Sequence, residues 1–498
     1  MTKNSRRGSK NGPAGRFLGG FARALALALL VNVLCLSLVF LTPTPVRAAG
    51  QKEELEIGRM VHAQIAAQTV ILDDPIVNEY YRKICQKIFK AVGNQPFPYH
   101  FYIIKSHYLN AFAVPGGFIY LHSETFISLE NEGQLASILA HEIAHITSRH
   151  FARRSESAKS LGLIGIIGML AGVALAGAGG GGQNAGALGQ ALMIGASAAS
   201  VQAMLANSRA DETEADSKGR AYLIKAGYNP RDMYWAFKIM NEQSYQLRGN
   251  VPGYLSTHPG LSARMASTFA DQASSPPAPK DPAFLAIRDR VMALTALPAR
   301  ATKQFTKRIA DDPNDAGALH GLGLLAYRQL DYTKAQDFMT KALKISPNNG
   351  EYLTDLGGLA LQRNKPDEAI RYFEQARQHG YRNIQTSVGL ARSYELVGRG
   401  KEASSIYDQV SGTVTDYYPV ALEKAGLFFG QNGQRAKGHF LLSTYYEATG
   451  RPRDSIFHCK AALEAPGGYS YQSKCDARTR NLEELIEITK KSGIGFRN

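Results

Sequence analysis

The stretch His141-Glu142-Ile143-Ala144-His145 decides how the rest of this chain is interpreted. Leucine and isoleucine recur around it at three- and four-residue steps, which predicts a helix. Residues four apart lie on one face of a helix, so His141 and His145 can offer ring nitrogens to a single metal ion. Glu142 stands beside the first histidine, where a general base for hydrolysis is needed. The stretch therefore predicts the metal-binding helix of a zinc peptidase.

A catalytic zinc site needs a third protein ligand and an open position for water. Ser148 and Phe151 stand where a metzincin has a glycine and a third histidine, which excludes that family. Glu156 is predicted to continue the first helix, roughly 16 Å along the axis from His145, and is therefore out of reach. The next carboxylate in the chain is Asp211.

Helical phase separates the acidic residues between 211 and 216. Glu212 and Asp216 share a face with small and apolar residues, whereas Asp211 and Glu214 lie on the opposite face. Glu214 and Lys218 have the spacing of an exposed ion pair. A buried carboxylate requires a cation, so Glu212 is the predicted third zinc ligand. Asp216, one turn further on, is predicted to accept the second N–H of a ligand histidine.

At these residues the chain resembles a known family. The H-E-x-x-H helix followed by E-x-x-A-D at 212–216 is similar to the membrane-linked zinc peptidases that include HtpX and the CAAX prenyl proteases. Residues 110–120 resemble the strand and turn that precede the zinc helix of that family, and Ser256-Thr257-His258-Pro259 with Arg264 resembles its S-T-H-P segment. The resemblance covers residues 50–270. It implies a zincin-type metalloprotease domain with one zinc ion (Zn2+) per chain.

The segments beside the zinc helix have predicted roles of their own. Aromatic and β-branched residues at 101–104 and 111–120, interrupted by Pro115-Gly116-Gly117, predict strands joined by a tight turn. An exposed edge there would bind substrate by strand addition, and a purely structural hairpin is the alternative. His258 precedes a proline and is expected in a loop. It would contact the transition state or act as a fourth zinc ligand, while Arg264 would neutralise an oxyanion or pair with an acid.

Residues 1–48 predict export. They contain seven basic and no acidic side chains, an apolar run at 25–41 and Val46-Arg47-Ala48, which fits cleavage after Ala48. An uncleaved membrane anchor is the alternative. The whole chain has a net charge of +15, and the part after residue 48 keeps +8. Its basic residues form no stripe with interleaved aromatic residues, so nucleic-acid binding is not expected.

Two further features depend on the predicted compartment. Residues 161–205 are nearly uncharged and rich in glycine and alanine. A transmembrane hairpin is one interpretation, but Glu212 must return to the zinc beside His141, which favours helices that cover the active site or touch a membrane surface.

Cys459 and Cys475 are close enough in sequence for a disulfide in an oxidising compartment, although the pairing stays open, and Cys85 is expected to be a buried thiol.

The C-terminal part has a repeat of 34 residues. Small residues recur at this spacing, and bulky residues recur four positions after each of them, which is typical of tetratricopeptide repeats (TPR). The small positions are Ala301, Ala335, Ala369 and Ala403, and the bulky ones are Phe305, Met339, Phe373 and Tyr407. Stacked helix pairs form a concave surface, so this part is predicted to bind protein partners.

The sequence therefore predicts an α-rich, α+β chain in which a zinc metalloprotease domain with a small β-sheet precedes an all-α TPR solenoid. Each half is expected to have a hydrophobic core of its own. The predicted divisions are a signal peptide (1–48), the protease domain (49–272), a linker (273–281), the repeats (282–467) and a tail (468–498).

The predicted function is that of a secreted zinc endopeptidase whose repeats recruit protein substrates. With the repeats, the resemblance extends to BepA-type periplasmic proteases, which implies degradation of misassembled envelope proteins near the outer-membrane protein assembly machinery. The competing interpretation is a periplasmic chaperone or scaffold for outer-membrane proteins, with a metal site that is rarely active.

Overall fold

A computed structural model describes residues 50–93, 97–155, 209–246, 254, 258–268, 276, 278–413 and 418–491. The predicted leader, the segment 161–205 and part of the predicted linker lie outside these residues. Within the described ranges, no helix is long and apolar enough to span a membrane.

The N-terminal half consists of helices around a three-stranded sheet. The strands are β1 (His100–Ile104), β2 (Ala111–Val114) and β3 (Phe118–His122). The helices are α1 (Gln51–Gln68), α2 (Pro75–Val92), α3 (Ser123–Ser128), α4 (Glu132–Thr147), α5 (His150–Ser155), α6 (Arg209–Lys225), α7 (Arg231–Gln246) and α8 (Leu261–Thr268).

The sheet has the order β1-β3-β2. β2 and β3 form an antiparallel hairpin in which Ala113 is opposite Ile119, and β1 runs parallel to β3. Gly116 and Gly117 in the hairpin turn have φ values of 77° and 93°, which only glycine adopts without strain. The predicted strands and turn are therefore present, and among the described strands β2 lies at an edge of the sheet.

Helix α4 ends earlier than expected. It stops at Thr147 with Ser148 as its C-cap, and Arg149 takes a left-handed conformation with φ of 51° before α5 begins. The guanidinium of Arg149 is held by Glu54 of α1. The prediction that one helix continues to Glu156 is therefore wrong. The sequence has no glycine or proline at this break, and a tertiary ion pair stabilises the left-handed conformation of Arg149 instead.

The C-terminal half is an array of antiparallel helix pairs, as the 34-residue period predicts. Four pairs begin at residues 282, 316, 350 and 384, and their second helices begin at 298, 332, 366 and 400. The helices are α9 (Pro282–Thr295), α10 (Pro298–Asp311), α11 (Ala316–Arg328), α12 (Tyr332–Ile345), α13 (Gly350–Gln362), α14 (Pro366–Gln378), α15 (Ile384–Leu396), α16 (Gly400–Thr413), α17 (Pro419–Gln431), α18 (Arg435–Ala448), α19 (Pro452–Glu464) and α20 (Gln472–Lys491).

The repeated positions explain why the helices pair. Ala301, Ala335, Ala369 and Ala403 are fully buried, so the backbones of neighbouring helices approach closely at each alanine. The bulky residue four positions later fills the space beside it, and all four of these side chains are buried as well. The repeat architecture is confirmed.

The two halves share a hydrophobic core at their junction, contrary to the expectation of a separate core for each, while the later repeats also have a cluster of their own from Ala360 to Leu441. One cluster of buried residues includes Ile84 and Ile138 of the N-terminal half together with Phe284, Phe305 and Leu356 of the repeats. The rings of Phe126 and Phe284 are stacked across the junction, with centroids 5.3 Å apart. Residues after 48 accordingly form one compact unit.

Cys85, Cys459 and Cys475 are buried free thiols in this structure. Cys459 of α19 and Cys475 of α20 lie in one small apolar cluster, and burial together with the neighbouring Cys459 raises the pKa of Cys475 to about 12. Cys85 is fully buried as predicted, and burial raises its pKa well above the ordinary value.

Candidate metal centre

Helices α4 and α6 carry the predicted ligands and pack closely. Asn131 caps α4 by accepting a hydrogen bond from the backbone N–H of Gln134, which fixes where the helix begins. Gly219 of α6 lies against α4, where an added methyl group would be 3.2 Å from the backbone carbonyl of Ala140. A glycine at this position lets the two helices come close enough for their side chains to meet.

Three predicted ligands converge at one point. The Nε2 atoms of His141 and His145 are 3.1 Å apart, and Glu212 Oε1 is 3.3 Å from His145 Nε2. His141 Nε2 is 3.5 Å from the other oxygen of Glu212. All three side chains are buried. Ligand atoms bound tetrahedrally at zinc–nitrogen distances lie about 3.3 Å from one another, so these side chains fit a zinc ion.

The electrostatics of the cluster formed by His141, His145 and Glu212 also favour a cation. Burial by itself raises the pKa of Glu212, but the imidazoles of His258, His141 and His145 hold it well below its usual range. Burial lowers the pKa of His141, yet Asp216 and Glu212 outweigh this effect and raise that pKa to about 9. The carboxylates of Asp216 and Glu212 therefore favour positive charge at this point.

Asp216 lies where the sequence predicts. Its Oδ1 atom is 3.0 Å from His141 Nδ1, the ring nitrogen that points away from the cluster. Asp216 also accepts two hydrogen bonds from Arg264, at 2.7 Å from Nε and 2.6 Å from Nη2. Another nitrogen of Arg264 is bonded to Glu212 Oε2. These contacts favour the predicted alternative in which Arg264 pairs with acids, and they orient both carboxylates.

His258 lies inside the cluster. Its Nδ1 atom is 3.0 Å from Glu212 Oε1 and 3.3 Å from His141 Nε2, and its Nε2 atom is 3.4 Å from Glu142 Oε1. The ring of Tyr254 stacks on His258 with centroids 4.4 Å apart. His141, His145, Glu212 and His258 can therefore present four donor atoms to one ion.

Glu142 is buried beside the cluster. Burial raises the pKa of its carboxyl group, and the imidazoles of His258 and His141 limit that rise. The backbone of Ala113 in β2 also lowers this pKa. The candidate general base thus lies beside strand β2.

His150 is a residue of this site that the sequence reasoning missed. Its Nδ1 atom lies 2.7 Å from His145 Nδ1, and the side chain is buried. Residues five apart do not share a face on a continuous helix, so helical periodicity predicted no contact between His145 and His150. Only the break at Arg149 brings His150 back against His145.

Two regions of the chain match known protein families. Residues 75–269 match Peptidase family M48, and residues 314–379 match the tetratricopeptide repeat. The chain therefore carries an M48 metallopeptidase domain followed by TPR repeats, and the predicted resemblance is confirmed.

Two similar proteins match this chain over most of their length. The Beta-barrel assembly-enhancing protease of Escherichia coli (strain K12) is 28% identical over 454 residues, which cover 88% of this chain and 89% of that protein. The protein of the same name from Yersinia pestis is 26% identical, with 88% and 90% covered.

More distant likenesses cover single parts of the chain. Mitochondrial metalloendopeptidase OMA1 of Saccharomyces cerevisiae is 30% identical over 159 residues, which are 31% of this chain and 41% of that protein. The crystal structure of YrrB, a TPR protein with an unusual peptide-binding site, has a TM-score of 0.29 and 19% identity, and the match covers 36% of this chain and 92% of that one.

Proposed function

We propose that this protein is a zinc-dependent endopeptidase that acts on exported outer-membrane proteins, with His141, His145 and Glu212 as metal ligands and Glu142 as general base. The observation that carries the proposal is the convergence of two imidazole Nε2 atoms and one buried carboxylate beside a second buried carboxylate. Three protein ligands with a neighbouring general base are typical of hydrolytic zinc sites.

The chain's own residues divide the work of peptide hydrolysis. Zinc held by the three ligands would supply a Lewis acid for the scissile carbonyl. Glu142 takes the proton of the attacking water and returns it to the leaving amine. Its burial raises the pKa of the carboxyl group, which favours its taking up that proton. Arg264 and Asp216 hold Glu212 and His141 in place through the contacts described above.

Substrate is proposed to bind along β2. Among the described strands β2 lies at an edge of the sheet, and its residue Ala113 lies beside Glu142. An extended peptide added beside β2 would therefore pass next to the general base. Recognition through the backbone suits substrates that are recognised because they are unfolded and not because of one cleavage sequence.

The repeats are proposed to recruit the protein partner. A cavity of about 900 Å³ lies between the repeats and the protease half, and its lining carries both basic and acidic side chains, among them Arg328, Arg392 and Asp355. The relatives named for β-barrel assembly support a role near the outer-membrane protein assembly machinery. The basic leader with its apolar run supports a periplasmic location, and contact with the membrane surface stays a proposal for residues 161–205.

We also propose that the same site can exist in a latent form without proteolytic activity. The position of His258 favours this second proposal. A catalytic zinc site requires an open position. The Nδ1 atom of His258 lies 3.0 Å from Glu212 Oε1 and 3.3 Å from His141 Nε2, where it would close that position. The enzyme would then act as a chaperone or scaffold until His258 moves away.

The test is hydrolysis of an unfolded β-barrel protein by the purified exported form. Glu142→Gln should retain one zinc ion per chain and lose about 10²–10⁴-fold in turnover, because the carboxylate that transfers the proton is absent. Glu242→Gln, which changes an exposed glutamate of α7, is the matched control and should behave like wild type. Equal turnover by Glu142→Gln and wild type would overturn the proposal.

A further inference from the structure

The two candidate ligand histidines are supported differently on their outer sides. His141 faces the carboxylate of Asp216, at 3.0 Å from Nδ1. The Nδ1 atom of His145 faces another imidazole, that of His150, at 2.7 Å. A ligand histidine usually donates its second N–H to a carboxylate, a carbonyl or water, so a histidine in this place needs an explanation.

The positions of the protons follow from the distances. His145 directs Nε2 into the ligand cluster, so its metal-binding form carries the ring proton on Nδ1. Two ring nitrogens 2.7 Å apart share a single proton, and therefore His150 must present the lone pair of its own Nδ1. The proton of His150 then lies on Nε2, which is 3.2 Å from Glu214 Oε2. Glu214 selects the tautomer of His150, and His150 selects that of His145.

The backbone places His150 for this contact. Arg149 adopts its left-handed conformation between α4 and α5, and its guanidinium is bound by Glu54 of α1. The chain turns back at this point, so the first residue of α5 packs against the last turn of α4. The side chain of His150 is 1% exposed, which keeps water from replacing it as the partner of His145.

We propose that His150 is a positioning residue that holds His145 in its metal-binding tautomer, and that Glu214 holds His150. The inference rests on the proposed function only in taking His145 as a metal ligand. Glu214 therefore has a second task beside its ion pair with Lys218, which uses the other carboxylate oxygen.

A separate metal site at His150, Asp211 and Glu214 fits the contacts less well. Arg153 lies 2.7 Å from Glu214 Oε2 and 3.3 Å from Asp211 Oδ1, and Lys218 lies 2.7 Å from Glu214 Oε1. Two side-chain cations already neutralise these carboxylates. The geometry thus favours support of His145 over the binding of a second cation.

The test is the metal affinity of the full chain, measured by competition between the protein and a chelator for Zn2+. His150→Ala should weaken the affinity by about 10–100-fold, the usual effect of losing such a partner. Glu214→Ala should weaken it in the same direction. Lys218→Ala is the matched control, because it removes the ion pair at the other oxygen of Glu214 and a hydrogen bond to Ser148 but leaves the bond to His150. Its affinity should equal that of wild type.

A pair of conservative variants separates positioning from general stability. The amide oxygen of asparagine can occupy the place of Nδ1, and the amide nitrogen of glutamine that of Nε2. His150→Asn should therefore restore most of the affinity, whereas His150→Gln should not. The visible absorption of the Co2+ form should change in His150→Ala and His150→Gln and stay close to wild type in His150→Asn.

The outcomes differ from those that test proteolysis. An affinity of His150→Ala within twofold of wild type, or equal effects of His150→Asn and His150→Gln, would overturn the inference even if the enzyme cuts its substrate. If His150→Ala does not fold, the zinc affinities of Glu214→Ala and Lys218→Ala are compared instead. Equal affinities of these two variants would then overturn the inference. Absence of peptide cleavage would refute the proposed function and leave the metal measurements unaffected.

Discussion

Arg290 of α9 and Asp74, the N-cap of α2, form a buried ion pair across the junction between repeats and protease, with Nη2 2.8 Å from Oδ2. Arg290 also binds Asp355 of α13, at 2.5 Å from Nη1, and Glu351 at 3.1 Å. His320 adds a contact to Asp355 at 2.9 Å. One guanidinium therefore connects the protease half with two repeats, beside a hydrophobic core that crosses the same boundary.

Removing this cation should strongly destabilise the protein. Arg290→Ala would leave buried carboxylates without their partner, which costs about 3–5 kcal/mol in comparable buried pairs. Chemical denaturation measures the change in the free energy of unfolding. Arg399→Ala, which removes an exposed arginine paired with Glu402, is the control and should keep the wild-type midpoint. Equal midpoints for both variants would mean that the junction contributes little.

A truncated protein that ends at Pro279 should be unstable, contrary to what the sequence suggests. It would expose the surface that Phe284 covers and leave Asp74 without Arg290. Increased binding of an apolar fluorescent dye and a lower denaturation midpoint are the expected readouts. As a control, the full chain cut once between residues 273 and 281 should stay associated on gel filtration. Wild-type midpoint and metal content in the truncated protein would support two independent halves.

The two glutamates of α6 should differ in metal binding. Glu212→Ala should abolish stoichiometric binding because it removes a ligand, whereas Glu214→Ala should still bind one metal ion per chain at saturating Zn2+. Metal analysis after gel filtration distinguishes the two. The reverse result would show that the ligand has been assigned to the wrong carboxylate.

His258→Ala should increase turnover and self-cleavage, since it removes the fourth donor from the cluster. The gain should equal the inverse of the fraction of wild-type molecules in which His258 is displaced. Turnover of an unfolded protein and metal content are measured on the same sample. If activity disappears while the metal stays bound, His258 contacts the transition state instead.

Removal of the metal should lower stability, because the ion binds only the folded ligand set. At free zinc 100-fold above the dissociation constant, the expected contribution is about 2.7 kcal/mol. Thermal unfolding with and without a chelator measures it. Glu142→Gln should show the same difference as wild type, and His141→Ala should show none. A chelator effect in His141→Ala would indicate another binding site.

Several features could be predicted because they depend on neighbours along the chain. The shared face of His141 and His145, the buried face of Glu212 and Asp216, and the ion pair of Glu214 with Lys218 each follow from the geometry of a single helix. The 34-residue period likewise predicted where successive repeat helices begin, because each repeat is a local unit that packs on the next.

Only the tertiary structure decided how these parts meet. The turn at Arg149, which brings His150 against His145, is stabilised by Glu54 of another helix. Helical periodicity carries no information about a break that is stabilised from outside the helix, so this turn could not be predicted. His258 and Glu212, which are in contact, are 46 positions apart in the sequence. Arg290 and Asp74, which meet at the junction, are 216 positions apart. The sequence by itself determined which side chains lie on which face of each element, since that is set by local backbone geometry. Which faces pack together was decided by burial and charge pairing across the whole chain.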